Sequence, residues 1–326
     1  MRPTVSSTPR FSWIIRLACI AGLCFAPLLF SNDYIRHLLI VAMMYAVVAS
    51  SWDLSLGYGG IFNFAHIAFF ALGAYTGGIL TKQFGISAWL AIPAGGVVAV
   101  AASLIACLPV LRVRGIYVCL VTFAFGQLCL HIVRSQGSLT GGSVGLTLIP
   151  PIRIGGFSFA EYGKLPYYYF SLLLLIGSTI FLTQLTKSYF GLSIVALRDY
   201  EDYAISRGVP LARQRLLTFA HSALFTGLVG AVYSLYLGVV AIELFGFGYT
   251  TLLLSMVLLG GVASIYGPII GAFILAFVSE FLLDLGPIRY VIIASAIVLT
   301  LRFYPSGIFG ALQKLGGRWA IGRPEV

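Results

Sequence analysis

Ala88-Trp-Leu-Ala-Ile-Pro-Ala-Gly-Gly-Val-Val-Ala-Val-Ala-Ala-Ser-Leu-Ile-Ala-Cys-Leu-Pro-Val110 runs for 23 residues without one charged side chain. A membrane-spanning helix needs about 20 such residues, each adding about 1.5 Å across a hydrocarbon layer about 30 Å thick. The stretch is one of ten: 11–30, 34–56, 60–81, 88–110, 115–134, 166–186, 216–239, 251–263, 267–284 and 287–303. The pattern predicts an all-α protein, a polytopic transmembrane helical bundle. The eighth segment is too short to cross unaided. It meets the ninth through Gly260-Gly261 and Gly267-Pro268, so two crossings, one kinked helix and a re-entrant pair all fit.

Over the whole chain of 326 residues, 60% are hydrophobic and 9% charged, against about 45–50% and about 25% in a soluble domain. Such a chain cannot keep its surface wetted, so most of it faces lipid or other apolar segments. Its 37 glycines lie largely in apolar runs, a habit of transmembrane helices. The net charge of +10 is not a nucleic-acid footprint, which needs a basic patch on a soluble face. Lys and Arg lie mainly between the apolar runs instead, as in cytoplasmic loops. Cys19, Cys24, Cys107, Cys119 and Cys129 all fall inside apolar segments, with no CxxC pair and no His at ligand spacing. They read as small buried hydrophobes, and no metal site is expected. Residues 1–10 are polar and basic, but the apolar run after them exceeds a signal-peptide core and no small-x-small site follows. The first segment is therefore expected to be retained.

Charge sets the parity. With the N-terminus inside and ten crossings, fourteen of the twenty Lys and Arg residues fall on the inner side. Arg36, Lys82, Arg134, Arg153, Lys164 and Arg289 fall outside. That is the positive-inside bias, whereas a single crossing over 251–284 would put the basic C-terminus outside. Ten segments, or eight plus a re-entrant pair, are expected, with N and C termini cytoplasmic and residues 1–326 forming a single transmembrane domain.

The inner loop, 187–215, is the most informative stretch. Residues 193–207 have helical spacing, with Ile194, Leu197, Ala204 and Ile205 on an apolar stripe and Asp199, Asp202 and Ser206 on a polar one. Arg198 and Asp202 stand four apart, and Arg207 ends the helix where a cation suits its dipole. Gly208 stands at a left-handed stop, and Pro210 can open a second short helix. A helix-turn over 193–212 results. Its polar face carries Asp199, Glu201 and Asp202, which an anionic lipid surface repels, so a protein partner explains it better than an interfacial role.

This segment resembles the coupling loop of ABC importer permeases, whose Glu-Ala-Ala…Gly pattern reads here Glu201, Ala204 and Gly208. Ile205 and Ser206 depart from the small residues usual there. The resemblance covers nearly the whole chain and is to LivM-type branched-chain amino acid permeases. Gly57-Tyr-Gly-Gly-Ile-Phe-Asn-Phe-Ala-His66 through Gly73-Ala-Tyr-Thr76 looks like their first signature, and Arg112-Val-Arg-Gly-Ile-Tyr-Val-Cys-Leu-Val-Thr122 like their second. Thr140-Gly-Gly-Ser-Val-Gly-Leu146 is similar to their outer loop. Leu259-Gly-Gly-Val-Ala-Ser-Ile-Tyr-Gly-Pro268 and Phe303-Tyr-Pro-Ser-Gly-Ile-Phe-Gly310 are similar to their C-terminal signatures. The departure is Asn63-Phe64, where small and polar residues are usual before the His.

The resemblance implies an ABC importer permease in the bacterial inner membrane that forms half of a path for branched-chain or related amino acids. Its partners would be a second, LivH-type permease, two cytoplasmic ATPase subunits, a periplasmic substrate-binding protein and membrane lipid. Arg198, Glu201, Asp202, Ala204 and Gly208 would couple to an ATPase. The chain would hold no cofactor, ATP being used by the partner subunits. Permeases for urea and amides look much alike.

Ionisable residues within spanning segments mark function by default. Asp53, His131, His221, Glu243 and Glu280 lie near segment ends, where reaching water is the simpler reading. His66 is deeper, with Asn63 one turn before it on the same face. Gly59, Gly60, Gly73, Gly77 and Gly78 let segment 3 pack closely or break. Asn63 and His66 are thus candidates for the translocation path, with an interhelical hydrogen bond as the alternative. Tyr167, Tyr168 and Tyr169 read as an interfacial aromatic belt. A secondary transporter or channel would share the topology, but would favour a mid-membrane acidic residue and need no helix-turn. An enzyme would need a constellation such as HExxH, GxSxG or a Cys/His cluster, and none is present. Nor is GxxxxGK[ST], the loop that cradles ATP.

Overall fold

The structure, a computed structural model, describes residues 21–27, 32–154, 157–161, 163–282, 286, 288–303 and 307–310. The expectations for both termini and for most of the first segment lie outside those residues. Helix α1 (residues 21–27) is followed by α2 (Asp33–Asp53), which Asn32 starts by accepting the Tyr34 N–H at 2.9 Å. A π-helical turn, Leu54–Tyr58, carries α2 onward.

Segment 60–81 is corrected here. Helix α3 begins only at His66 and runs to Lys82, leaving 59–65 non-helical. Gly60 turns left-handed at φ +65°, and Ile61 bonds back to the Ser55 carbonyl at 2.8 Å. Asn63 does not stack under His66 on a helix. Its side-chain oxygen takes the Ala65 N–H at 2.9 Å, the local bond with which Asn competes against a helix.

Beyond the break come α4 (Ala88–Val110), α5 (Ile116–Ser135) and the single turn α6 (Gly137–Thr140). A two-residue antiparallel hairpin follows, β1 (Arg153–Ile154) with β2 (Phe157–Ser158), and then α7 (Leu165–Lys187). The inner connection is α8 (Tyr189–Asp199) and α9 (Glu201–Ser206). It leads into α10 (Leu211–Leu237), a 3-10 turn (Ile242–Phe245), α11 (Phe247–Gly260), α12 (Tyr266–Phe281) and α13 (Ile288–Phe303). Among the described residues five helices are long and apolar enough to cross a membrane, those of α2, α4, α5, α7 and α10, with α11 and α12 as shorter apolar helices.

α2 is the centre, 89% of its most apolar window being covered by protein, while only 22% of α5 is covered. Beside it, α3, α4 and α10 meet along small residues. A Cβ on Gly73 would stand 2.3 Å from the Gly227 carbonyl oxygen. One on Gly227 would stand 2.3 Å from the Ala99 methyl, and one on Gly230 would stand 2.1 Å from the Phe70 oxygen. Without a hydrophobic drive between helices in lipid, such close backbone approach supplies the dispersion energy that joins them.

The eighth and ninth segments are two antiparallel helices. Gly267 seats its oxygen where a Gly260 Cβ would go, and the Met256 oxygen lies where a Gly271 Cβ would go. α12 also runs the length of α2: Tyr34 bonds Glu280 at the outer end, and Asp53 meets the loop before α12 at the inner end. At the outer face Lys82 donates to the Thr147 carbonyl at 2.6 Å, and Leu146 and Val240 pair as a β-bridge.

The aromatic belt is also corrected. Tyr167 and Tyr168 are buried and brace the interior, Tyr167 donating to the Leu235 oxygen at 3.1 Å and Tyr168 to the Leu23 oxygen at 2.6 Å. Tyr169 alone of the three is exposed.

Candidate functional site

The inner helix-turn is built differently from the single helix expected over 193–207. α8 starts earlier, at Tyr189, and breaks at Tyr200, whose φ of −148° and ψ of 80° are extended rather than helical. The break frees Glu201 to turn inward. Its two oxygens lie 2.9 Å from Arg114 and 2.9 Å from Arg215, tying α9 to the α4–α5 turn and to the start of α10. Arg198 does not pair with Asp202. It bonds Asp199 at 2.8 Å and the Gly57 carbonyl at 2.7 Å, while Asp202 stands 3.8 Å from Arg114. Gly208 is left-handed, at φ +88°, as suits the residue just past the C-cap of α9. Pro210 caps the long helix α10 itself rather than a separate short one.

Of the apolar stripe, Ile194, Leu197 and Ala204 are buried, and Ile205 points out. Tyr189, Leu192, Tyr200, Tyr203 and Ile205 leave an apolar, aromatic surface exposed beside Asp199, Asp202 and Ser206. Rings and aliphatic groups exposed together mark interaction surfaces. The sequence signal for them, Tyr at 189, 200 and 203, lay outside the stripe used to find the helix.

The braces of this helix-turn reach into the membrane. Arg198 packs on Gly60, where a Cβ would stand 2.5 Å from its Cγ, and holds the Gly57 oxygen within the π-turn. One turn up α2, Asp53 is fully buried, which corrects its reading as an interfacial residue in touch with water. Its two oxygens accept the N–H groups of Ala263 and Ser264, each at 2.9 Å, ahead of α12. A carboxylate there pairs two backbone donors of the loop that leads to the N-cap of α12, Ile265.

His66 is enclosed between α2 and α10. Its Nε2 stands 2.8 Å from the Thr226 hydroxyl and 3.3 Å from the Val48 oxygen, and its ring stacks on Trp52 with centroids 5.2 Å apart. Val48 can only accept, and the Thr226 hydroxyl is engaged with the Ser222 oxygen at 2.8 Å, so Nε2 is assigned the proton. Nδ1 then lacks a partner, as does the Asn63 amide nitrogen. Asn63 and His66 thus sit in closed core at the start of α3, and neither lines the inner cavity. Among the described residues no group of three His, Cys, Asp or Glu side chains could hold a metal.

A helical membrane bundle that braces an exposed helix-turn on its inner face has the form expected of a transport permease. The comparisons agree. The family model "Branched-chain amino acid transport system / permease component" matches residues 34–301, and the chain belongs to that family. The high-affinity branched-chain amino acid transport system permease protein LivM of Escherichia coli (strain K12) is 28% identical over 289 residues, 82% of this chain and 68% of the relative. LivM of Salmonella typhimurium (strain LT2) matches with the same identity and coverage. No solved structure matches the chain. The protein is a multi-pass inner-membrane permease subunit of an ABC importer, a family that works with ATPase and binding-protein partners.

Proposed function

We propose that this chain forms half of the translocation path for branched-chain or related amino acids. It pairs with a second, LivH-type permease above two cytoplasmic ATPase subunits and takes its cargo from a periplasmic binding protein. It holds no cofactor and makes or breaks no bond, ATP being hydrolysed by the partners. Residues 1–326 act as one permease domain.

One observation carries this reading: the α8–α9 unit turns Tyr200, Tyr203 and Ile205 outward while Arg198 and Glu201 tie its back to the π-turn after α2, the α4–α5 turn and α10. Push on the outer face and the force passes through Arg198 to the π-turn, and through Glu201 to α4, α5 and α10. Asp202, Ala204 and Gly208 shape the contact: Asp202 is exposed, Ala204 packs beneath, and Gly208 sets the angle into α10. Asn63 and His66 are assigned a positioning role, fixing the break that lets 59–62 meet Arg198.

The test is co-purification from the native host in mild detergent, followed by uptake in proteoliposomes. An ATPase and a second permease should accompany the wild type, and Tyr203→Asp should lose the ATPase while keeping the permease. Leucine, isoleucine and valine should be taken up in preference to urea. A chain that purifies alone across several detergents would overturn the reading.

A further inference from the structure

A cavity of about 440 Å³ opens at the cytoplasmic end, between residues 59–62, the α4–α5 turn, α8–α9 and the first turns of α10. Ligand pockets range over about 300–1,000 Å³. Its lining has two characters. Arg114, Arg198 and Arg215 bring three guanidinium groups to the lining against one lining carboxylate, Glu201, with Asp199 and Asp202 set behind Arg198 and Arg114. Ile61, Ile116, Val118 and Leu211 make an aliphatic wall. Gln214 lies among them, its amide oxygen buried and without a partner.

The guanidinium groups are not exhausted. Each carries five N–H donors. Arg215 spends its two terminal nitrogens on the Val110 oxygen at 3.3 Å and on Glu201 at 2.9 Å. Arg198 spends Nε on Asp199 and one terminal nitrogen on Gly57. Arg114 meets Glu201 and Asp202 through a single nitrogen, and its side chain stays 68% exposed at the mouth. The wall therefore offers several donors to a carboxylate. The Gln214 oxygen and Glu201 offer acceptors to an ammonium, and the apolar side suits a short hydrocarbon.

We propose that this cavity is a cytoplasmic-side binding site for a small zwitterionic α-amino acid with an aliphatic side chain. The proposal rests on the amino-acid permease reading and deepens it. The carboxylate sits against the Arg114 and Arg215 guanidinium groups, the ammonium against the Gln214 oxygen, and the side chain on Ile116 and Val118. Arg114 and Arg215 also hold Glu201, a brace of the helix-turn, so an amino acid entering from the cytoplasm competes with Glu201 for them and slows further import as it accumulates.

The test uses the purified transporter assembly without its binding protein, with radiolabelled L-leucine as probe. Saturable binding is expected, weakened about tenfold or more by Gln214→Leu, which removes an acceptor for a charged donor. Ile116→Trp, which fills the apolar side, should weaken it as well. Isocaproate, which lacks the ammonium, and inorganic phosphate should bind less well than leucine. In the unmutated protein, leucine should protect Cys119, which lines the cavity, from a maleimide applied on the cytoplasmic side, a readout that needs no variant to fold. Phosphate binding as well as leucine would overturn the proposal, as would leucine bound equally by both variants or Cys119 left unprotected. Uptake with the binding protein restored is scored separately. Uptake without cytoplasmic-side binding removes the cavity proposal and leaves the permease reading standing, while loss of leucine uptake in favour of another solute removes both.

Discussion

Asp53 holds the N–H groups of Ala263 and Ser264 from a position 210 residues earlier in the chain. Removing its carboxylate in Asp53→Ala would leave two half-buried donors unpaired, at a cost of about 1 kcal/mol each. The variant should melt at lower temperature in detergent and be recovered in lower yield. Asp53→Asn should fall between, because its one carbonyl oxygen must serve both donors. An unchanged melting point in Asp53→Ala would show that the tie to the loop before α12 carries no stability. Gly208 answers to a different force. Nothing lies within 4 Å of where its Cβ would be, so its constraint is the φ of +88° alone. Gly208→Val should insert normally yet lose most uptake, while Gly208→Asn, which tolerates left-handed backbone, should keep it. Full uptake by the Val variant would show that the turn angle carries no force. Gly208 was legible as the glycine just past the last helical turn. The partners of Asp53 were not, because nothing local announces a loop that returns 210 residues later.

Helices differ in how much of their packing the chain displays. The seam of α3, α4 and α10 is written in glycines, and the structure puts Gly73 and Gly77 to close packing against Gly227 and Ala231. Gly227→Ala should therefore overpack, at a cost of about 1–3 kcal/mol. Gly177→Ala on α7, with open space around it, should be neutral or stabilising by up to about 1 kcal/mol. Parallel melting curves would separate the two, and equal effects would mean the seam is looser than its distances. The break at Tyr200 was hidden for the opposite reason. Ile194, Leu197 and Ala204 keep helical spacing straight through it, and the cause is tertiary: Glu201 turns to meet Arg114 and Arg215, partners on other elements. The late start of α3 has a local cause, the side-chain bond of Asn63, which the helical reading of segment 60–81 overlooked.

For the molecule as a whole, hydropathy and charge carried most of the architecture. Each apolar segment from 34–56 onward contains a helix, and 88–110 matches α4 end to end. What hydropathy left open was the pairing of 251–263 with 267–284, since length alone cannot separate a kinked helix from two crossings. Single-cysteine variants test the parity. Phe281→Cys, fully at the outer end of α12, should react with an impermeant maleimide added outside intact cells, and Tyr203→Cys only after permeabilisation. Labelling of Phe281→Cys from the inside alone would reverse the direction of α12.

The antiparallel α11–α12 pair also bears on how the protein is made. α11 has 14 residues, about 21 Å of helix against about 30 Å of hydrocarbon, and its last glycine is packed against Gly267. During synthesis it has no stable place in the bilayer until the ribosome has released α12. The two should therefore leave the insertion machinery together as a hairpin. A chain truncated after residue 262 and released should hold α11 at the membrane surface, and one truncated just past residue 282 should bury both.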